Sequence, residues 1–522
     1  MKISVTKLLL FSIAYLFIPH LIFILGWVKL SIALPTIALL FFLSYKIAKQ
    51  TYTDDAVSEN ITLSKPTALY LITFSLVMVG FSGIGELVWQ RDDFFKHNLI
   101  FSDLLRSNWP VTYADKEVSS ILTYYLGWYM VPAAIGKVAG VWATAFTSFL
   151  WTAIGSFLLF LWLKLVLKTS NLLLWIVFLG ISGFEFLWVA GHYIYYLFTY
   201  YPQYGFLALL KGTFAYTRSE LITPYFNQNI PSFFVGFLSA PQHVLPGFLV
   251  SAIIIYAIIK KLSFRYTAIV GVLMMFWSPI VCLGLVPFAL YHIYVNKKGV
   301  FSVQNIWSYV FSGVILFFVV SYLVAHAPLK NNGFVWQVNS SNWLFYTIVF
   351  IALKFGVIFL YLSYKNKKLD FIGEYKELGY LSVFGLVVLS VYKLGAYNDL
   401  IARASIPFYF VLLIWVVFFL QRIKEKPFKK YVFVWGIVAL MLIPRLWQVY
   451  KTIVYTPQLK SKKYTISDVP REYNILNHNE WLIQIKPEYL GQYVIDDSIS
   501  SQYLGSTNSF FYNYLAKNEL EN

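Results

Sequence analysis

The segment Gln90-Arg91-Asp92-Asp93-Phe94-Phe95-Lys96-His97 sets two adjacent carboxylates just past a long apolar run. Charge is costly at a membrane boundary, so an acidic pair there asks for a use. Asp92 or Asp93 could serve as a general base, with Lys96 and His97 tuning it from the next helical turn. The competing reading is local. A helix opening at the pair would take one Asp as its N-cap and pair Asp92 with Lys96 and Asp93 with His97 at i,i+4.

Two further clusters carry groups of the same kind. In Ser239-Ala240-Pro241-Gln242-His243-Val244-Leu245-Pro246, the two prolines argue against regular helix, so Gln242 and His243 are expected on a fixed bend. A lone His at such a place is more often a satisfied structural residue. Lys393 and the stretch Asn398-Asp399-Leu400-Ile401-Ala402-Arg403 bracket a short loop. Arg403 could pair with Asp399, or its planar guanidinium could hold a phosphate. Lys354 stands apart within an apolar run, where it must line a hydrated cavity or pair with a buried acid such as Glu185.

Composition says what must position these residues. Of 522 residues, 59% are hydrophobic and only 12% charged, against about 25% charged in a soluble domain. Mean hydropathy is +0.65. At roughly 20 apolar residues per crossing, the chain reads as an all-α polytopic membrane protein. One cysteine, Cys282, permits neither a disulfide framework nor a thiolate metal site. The +17 net charge is gathered in short loops between apolar runs, which is the positive-inside pattern rather than a nucleic-acid surface.

Runs of spanning length lie near 8–26, 30–48, 67–88, 142–167, 171–190, 306–326, 343–363, 378–393, 404–421 and 431–447, with shorter ones at 245–259, 266–280 and 281–296. The run 121–138 is interrupted by Pro132 and Gly136. It is expected to be re-entrant, because the basic loops then share one side with about 13 crossings. That parity sets residues 1–66 as an N-terminal hairpin with a cytoplasmic start, and 67–447 as a core. The loops 89–120 and 191–244 and a small mixed tail, 448–522, fall on the outer side. Residues from Phe94 to Arg106 should form an amphipathic helix lying at the membrane surface.

No P-loop, dinucleotide fingerprint, HExxH or GxSxG is present. No motif demands a cofactor, and a divalent metal is the one candidate, with no ligand residue assigned to it. The remaining chemistry is that of a membrane-borne substrate.

The span at 67–88, the Asp92-Asp93 loop and Tyr124-Tyr125-Leu126 together resemble the GT-C superfamily of integral-membrane glycosyltransferases, which includes the protein O-mannosyltransferases and aminoarabinose transferases. Two features depart from its usual arrangement. A hairpin precedes the helix that should come first, and the acidic pair is Asp-Asp rather than Asp-Glu. The resemblance implies transfer of a sugar from a polyprenyl-phosphate carrier to a glycan, lipid or protein acceptor on the extracytoplasmic face. Asp92 or Asp93 would be the base; Arg403, Lys393 and His243 would meet the phosphate. It also implies a cell membrane, bacterial and inner, as the setting, with the C-terminus outside. The alternatives are a transporter or flippase for a lipid-linked saccharide, whose polar site would lie near the midplane, and a non-catalytic scaffold.

Overall fold

A computed structural model describes residues 2–54, 57–91, 93–114, 119–184, 228–326, 332–338, 342–395, 398–425, 427–458, 465–477 and 500–517, and single positions between 187 and 199. The first half holds α1 (Val5–Trp27), α2 (Leu30–Tyr52), α3 (Lys65–Gly80), α4 (Phe94–Arg106), α5 (Met130–Ala139), α6 (Val141–Leu167), α7 (Leu172–Gly180) and α8 (Phe233–Ser239). Then come α9 (Pro241–Ile259), α10 (Phe264–Trp277), α11 (Pro279–Val295), α12 (Ile306–Leu323) and α13 (Trp343–Leu369). The last are α14 (Lys376–Leu389), α15 (Asp399–Ala404), α16 (Ile406–Lys424) and α17 (Phe428–Gln458).

Among the described residues seven helices are long and apolar enough to cross a membrane, or eight with the bent pair Tyr431–Leu442 and Arg445–Val454. The chain is a polytopic α-helical membrane protein. Others of the about 13 runs expected to cross form shorter apolar helices, among them Lys65–Gly80, Phe264–Trp277 and Pro279–Val295. The run at 67–88 stops as helix at Gly80, because Gly83, Gly85 and Glu86 turn the chain with positive φ. The run at 171–190 yields only Leu172–Gly180, and part of its remainder lies outside the described residues. The interrupted run at 121–138 gives the ten-residue α5. Gly140, at φ 86°, turns the chain from α5 into α6, and Trp128 donates to Thr152 Oγ1 at 2.9 Å.

Helix ends divide between two opposite faces. On one, Lys260 pairs with Glu59 at 2.9 Å and Arg265 with Asp54 at 2.7 Å, beside β1 (Lys2–Ser4) paired with β2 (Asn60–Thr62). On the other, β3 (Thr112–Ala114), β4 (Ser119–Leu122) and β7 (Leu504–Ser506) form a three-stranded sheet, and β5 (Gly333–Phe334) pairs with β6 (Tyr392–Lys393). Of the residues singled out in the sequence, Asp93, Lys96, His97, Gln242, His243, Lys393 and Arg403 lie towards this second face.

The segment from 448 onward is joined to the core. α17 continues past residue 448 to Gln458. β7 is an outer strand of the sheet, Ala516 bridges to Val28, and Lys517 N–H donates to Trp27 O at 3.0 Å. α4, expected as a helix at the membrane surface, is covered by protein. Its residues from Phe94 to Leu104 are buried, Lys96 excepted. Arg106 donates to Val469 O and Pro470 O at 2.6 and 2.9 Å, and Asp103 accepts from Ile475 N–H at 3.0 Å. The tail therefore covers the face that the sequence pattern left polar.

At the centre stand α9 and α16, 94% and 89% buried along their apolar windows, whereas α2 and α13 are only 22% buried. A helix apolar all round belongs inside a bundle. These two central helices begin at the functional face, and α9 carries Gln242 and His243 in its first turn.

Candidate functional site

α4 starts beside the acidic pair. Gln90 holds the approach, donating to Gly83 O at 3.0 Å and accepting from Asn98 at 2.8 Å. Asp93 occupies the N-cap position with helical dihedrals (φ −65°, ψ −26°), and its side chain makes no capping bond. Its carboxylate is exposed. The cap-and-ion-pair reading therefore does not describe Asp93. Asp92 lies outside the described residues.

His97 is not free to tune a base, contrary to expectation. Its Nδ1 meets the Tyr129 hydroxyl at 2.6 Å and its Nε2 the Ser239 carbonyl at 3.0 Å. A carbonyl only accepts, so Nε2 carries the hydrogen and Nδ1 accepts from Tyr129. Burial holds His97 down to about 4, against the opposing pull of the Ser239 bond and Asp93. Both nitrogens are committed, and the ring is neutral. It ties α4 to α5 and to the elbow between α8 and α9.

β4 leads straight into Tyr124-Tyr125. Thr123 N–H donates to Tyr503 O at 2.8 Å, and the Tyr124 ring lies 4.8 Å from that of Tyr503 and 4.4 Å from that of Tyr125. Burial raises the Tyr124, Tyr125, Tyr129 and Tyr503 hydroxyls, so they stay protonated and act as donors. Arg403 lies over Tyr125 at 5.7 Å from the ring centroid and pairs with Asp399 at 3.0 Å. Burial alone would weaken its charge; Asp399 and the tyrosines outweigh that and raise its affinity for the proton. Arg403 is therefore a fixed cation. Its field reaches His97 and Tyr503, and so does that of Asp93.

Gln242 and His243 sit on helix rather than on a bend. Pro241 occupies N1 of α9, where its missing N–H costs nothing, and Pro246 is accommodated further along. Both polar side chains are buried, at 2% and 1% exposure. His243 Nδ1 meets Ser278 Oγ at 2.8 Å, and its ring stands edge-on to Tyr125 at 5.2 Å. Gln242 Oε1 and His243 Nε2 are buried without hydrogen-bond partners among the described residues. α11 brings the neighbouring loop in: a side chain at Gly284 would collide with the Ala404 carbonyl.

The other expected residues fall at the margin. Lys96 is half-buried on α4. Lys393 is on β6, paired with Gly333, and burial pulls its ammonium below the usual range. Lys354 meets the Ser182 hydroxyl and the Tyr409 ring at 5.6 Å; Glu185 lies outside the described residues. Tyr129, Ser278 and Tyr503 were not legible as site residues, because each arrives by a long-range contact. Arg91 was also missed, and its Nη1 is buried without a partner among the described residues. A cavity of about 540 Å³ lies on the opposite face, lined by Lys168, Glu374, Arg422 and Glu425 among others. Its charges pair with one another at 3.4 Å, and it is remote from this cluster.

Among the described residues no three His, Cys, Asp or Glu side chains could together hold a metal ion. Asp93 alone does not make a divalent site. No protein-family model, curated protein or solved structure matches this chain.

Proposed function

We propose that this membrane protein is a glycosyltransferase that takes a sugar from a polyprenyl-phosphate carrier and passes it to an acceptor hydroxyl at the extracytoplasmic face. The observation that carries the reading is an exposed carboxylate on the same face as a cation held by Asp399 and Tyr125. Asp93 has no cap bond to make, and it shares a neighbourhood with Arg403, since both act through space on His97 and Tyr503.

In this reading the acceptor oxygen bonds to the anomeric carbon as that carbon's bond to the carrier phosphate oxygen breaks. The hydroxyl proton passes to Asp92 or Asp93. The carrier leaves with one more negative charge, which Arg403 stabilises; Arg91 is well placed in sequence to assist. The leaving phosphate needs cations rather than a proton donor. The protonated tyrosines wall the site with apolar faces and hydroxyl donors. Hydrogen-bonded Lys354 and the position of the cluster at a helix end, not at mid-bundle, favour an enzyme over a transporter.

In this reading the chain passes about 13 times between the two faces, with α5 turning back. The basic loops then face the cytoplasm, as does the N-terminus, in the inner membrane of a bacterium. The test is reconstitution of the full chain in vesicles with polyprenyl-phosphate hexoses and a membrane extract as acceptor. Release of free carrier phosphate that depends on Arg403 supports the reading. A wild-type protein that binds no prenyl-phosphate donor rejects it.

A further inference from the structure

Unpaired polar atoms sealed inside a protein are costly. Two of them on successive residues of the functional face therefore ask for a ligand. Among the described residues, Gln242 Oε1 and His243 Nε2 have no hydrogen-bond partner. They belong to successive residues in the first turn of α9, which is held in place by the His243–Ser278 contact at 2.8 Å and by packing of α9 against α11 and α16. The Gln242 amide also approaches the Tyr124 hydroxyl. Above them lies Tyr125, only half-buried, its ring edge-on to His243 at 5.2 Å and facing Arg403 at 5.7 Å. Tyr125 sits between β4 and a short 3-10 turn, Leu126–Trp128, so its ring is not locked within a long helix.

We propose that Gln242 and His243 form the subsite that binds the hydroxyls of the donor's sugar ring, entered when Tyr125 moves aside; this rests on the glycosyltransferase reading. A phosphate does not suit the pair, because an amide oxygen only accepts and would face another acceptor. A hydroxyl both donates and accepts, so it satisfies Gln242 Oε1 and either tautomer of His243. The Tyr124 and Tyr125 faces supply the apolar surface that a sugar ring's C–H groups need. Arg403, on the far side of Tyr125, remains for the phosphate. Gln242 and His243 thus set which sugar is accepted, while Arg403 sets that a phosphate carries it.

The full chain in lipid nanodiscs would be titrated calorimetrically with geranyl phosphate and with its glucosyl, mannosyl and galactosyl forms. At least one hexosyl form should bind about tenfold more tightly than geranyl phosphate, as one or two buried hydrogen bonds imply. Gln242→Leu should erase that gain and leave geranyl phosphate affinity unchanged; Gln242→Met serves the same purpose should the leucine variant fail to fold. A gain that survives in the folded variant overturns the subsite. So does equal binding of every form by the wild type, and in both cases a loss of binding in Arg403→Ala leaves the glycosyltransferase reading standing. If the wild type binds none of the four probes, that reading fails and the subsite fails with it.

Discussion

The Tyr129 hydroxyl donates to His97 Nδ1 at 2.6 Å, and the opposite nitrogen of the same ring donates to the Ser239 carbonyl at 3.0 Å. One neutral imidazole thereby joins three helical elements around the start of α4. His97→Ala would leave a buried hydroxyl and a buried carbonyl unpaired, at about 1–3 kcal/mol each. A fall in thermal midpoint of several degrees in detergent is expected. A midpoint equal to that of the wild type would show that water replaces the ring without loss.

Acidification should act on His97 and Asp103 in opposite senses. His97 is lowered from 6.5 to about 4 by burial, so between those values the unfolded chain takes the proton first and the fold loses stability as pH falls. Asp103 is raised from 3.8 to about 6, again chiefly by burial and despite bonds from Tyr113 and Ile475. Over nearly the same window the folded chain takes that proton first, so falling pH favours the fold. Asp103→Asn removes the second effect alone. Its thermal midpoint should therefore drop more steeply than that of the wild type between pH 6.5 and pH 4. Parallel pH profiles would contradict this assignment.

Local relationships were readable in the chain, and distant ones were not. The Asp399–Arg403 pair follows from i,i+4 spacing and is present at 3.0 Å. The extent of α4, Phe94–Arg106, matches its apolar pattern. Its surroundings could not be inferred, because the Val469–Pro470 and Ile475 contacts come from more than 360 residues away. Tyr503 is hidden for the same reason: β7 reaches the sheet from the far end of the sequence. Pro241 misled by its type. Proline disrupts helix interiors yet suits the first turn, and position within the helix decides between them.

Arg403 should matter for the donor more than for the acceptor. Arg403→Ala is expected to raise the KM for a polyprenyl-phosphate sugar about tenfold or more, since charge-assisted bonds to phosphate are among the stronger ones. Acceptor KM should stay near the wild-type value. Arg403→Lys should restore little, because a lysine cannot keep both the Asp399 pair and a planar phosphate contact. Equal effects on both substrates in steady-state kinetics would move Arg403 out of the phosphate role.

Membrane sidedness can be checked with single cysteines in a Cys282→Ala background. Asn108 and Asn508 are exposed on the functional face, and Lys368 is exposed on the other. In intact cells an impermeant thiol reagent should label Asn108→Cys and Asn508→Cys, while Lys368→Cys reacts only after permeabilisation. Labelling of Lys368→Cys alone in intact cells would invert the proposed orientation.

The central claim is that the acidic pair supplies a base, and asparagine exchange tests it most directly. Asn caps a helix about as well as Asp, and the Asp93 side chain makes no cap bond to lose. Asp92→Asn and Asp93→Asn should therefore accumulate in the membrane with wild-type thermal midpoints and keep donor binding. One of them should lose glycosyl transfer by about 10²–10⁴, the usual cost of a missing general base. The measurement is the initial rate of sugar transfer from a polyprenyl-phosphate donor by each purified variant. A collapse in rate at one of the two positions, with binding retained, is the result this account predicts. Wild-type rates in both variants would contradict it.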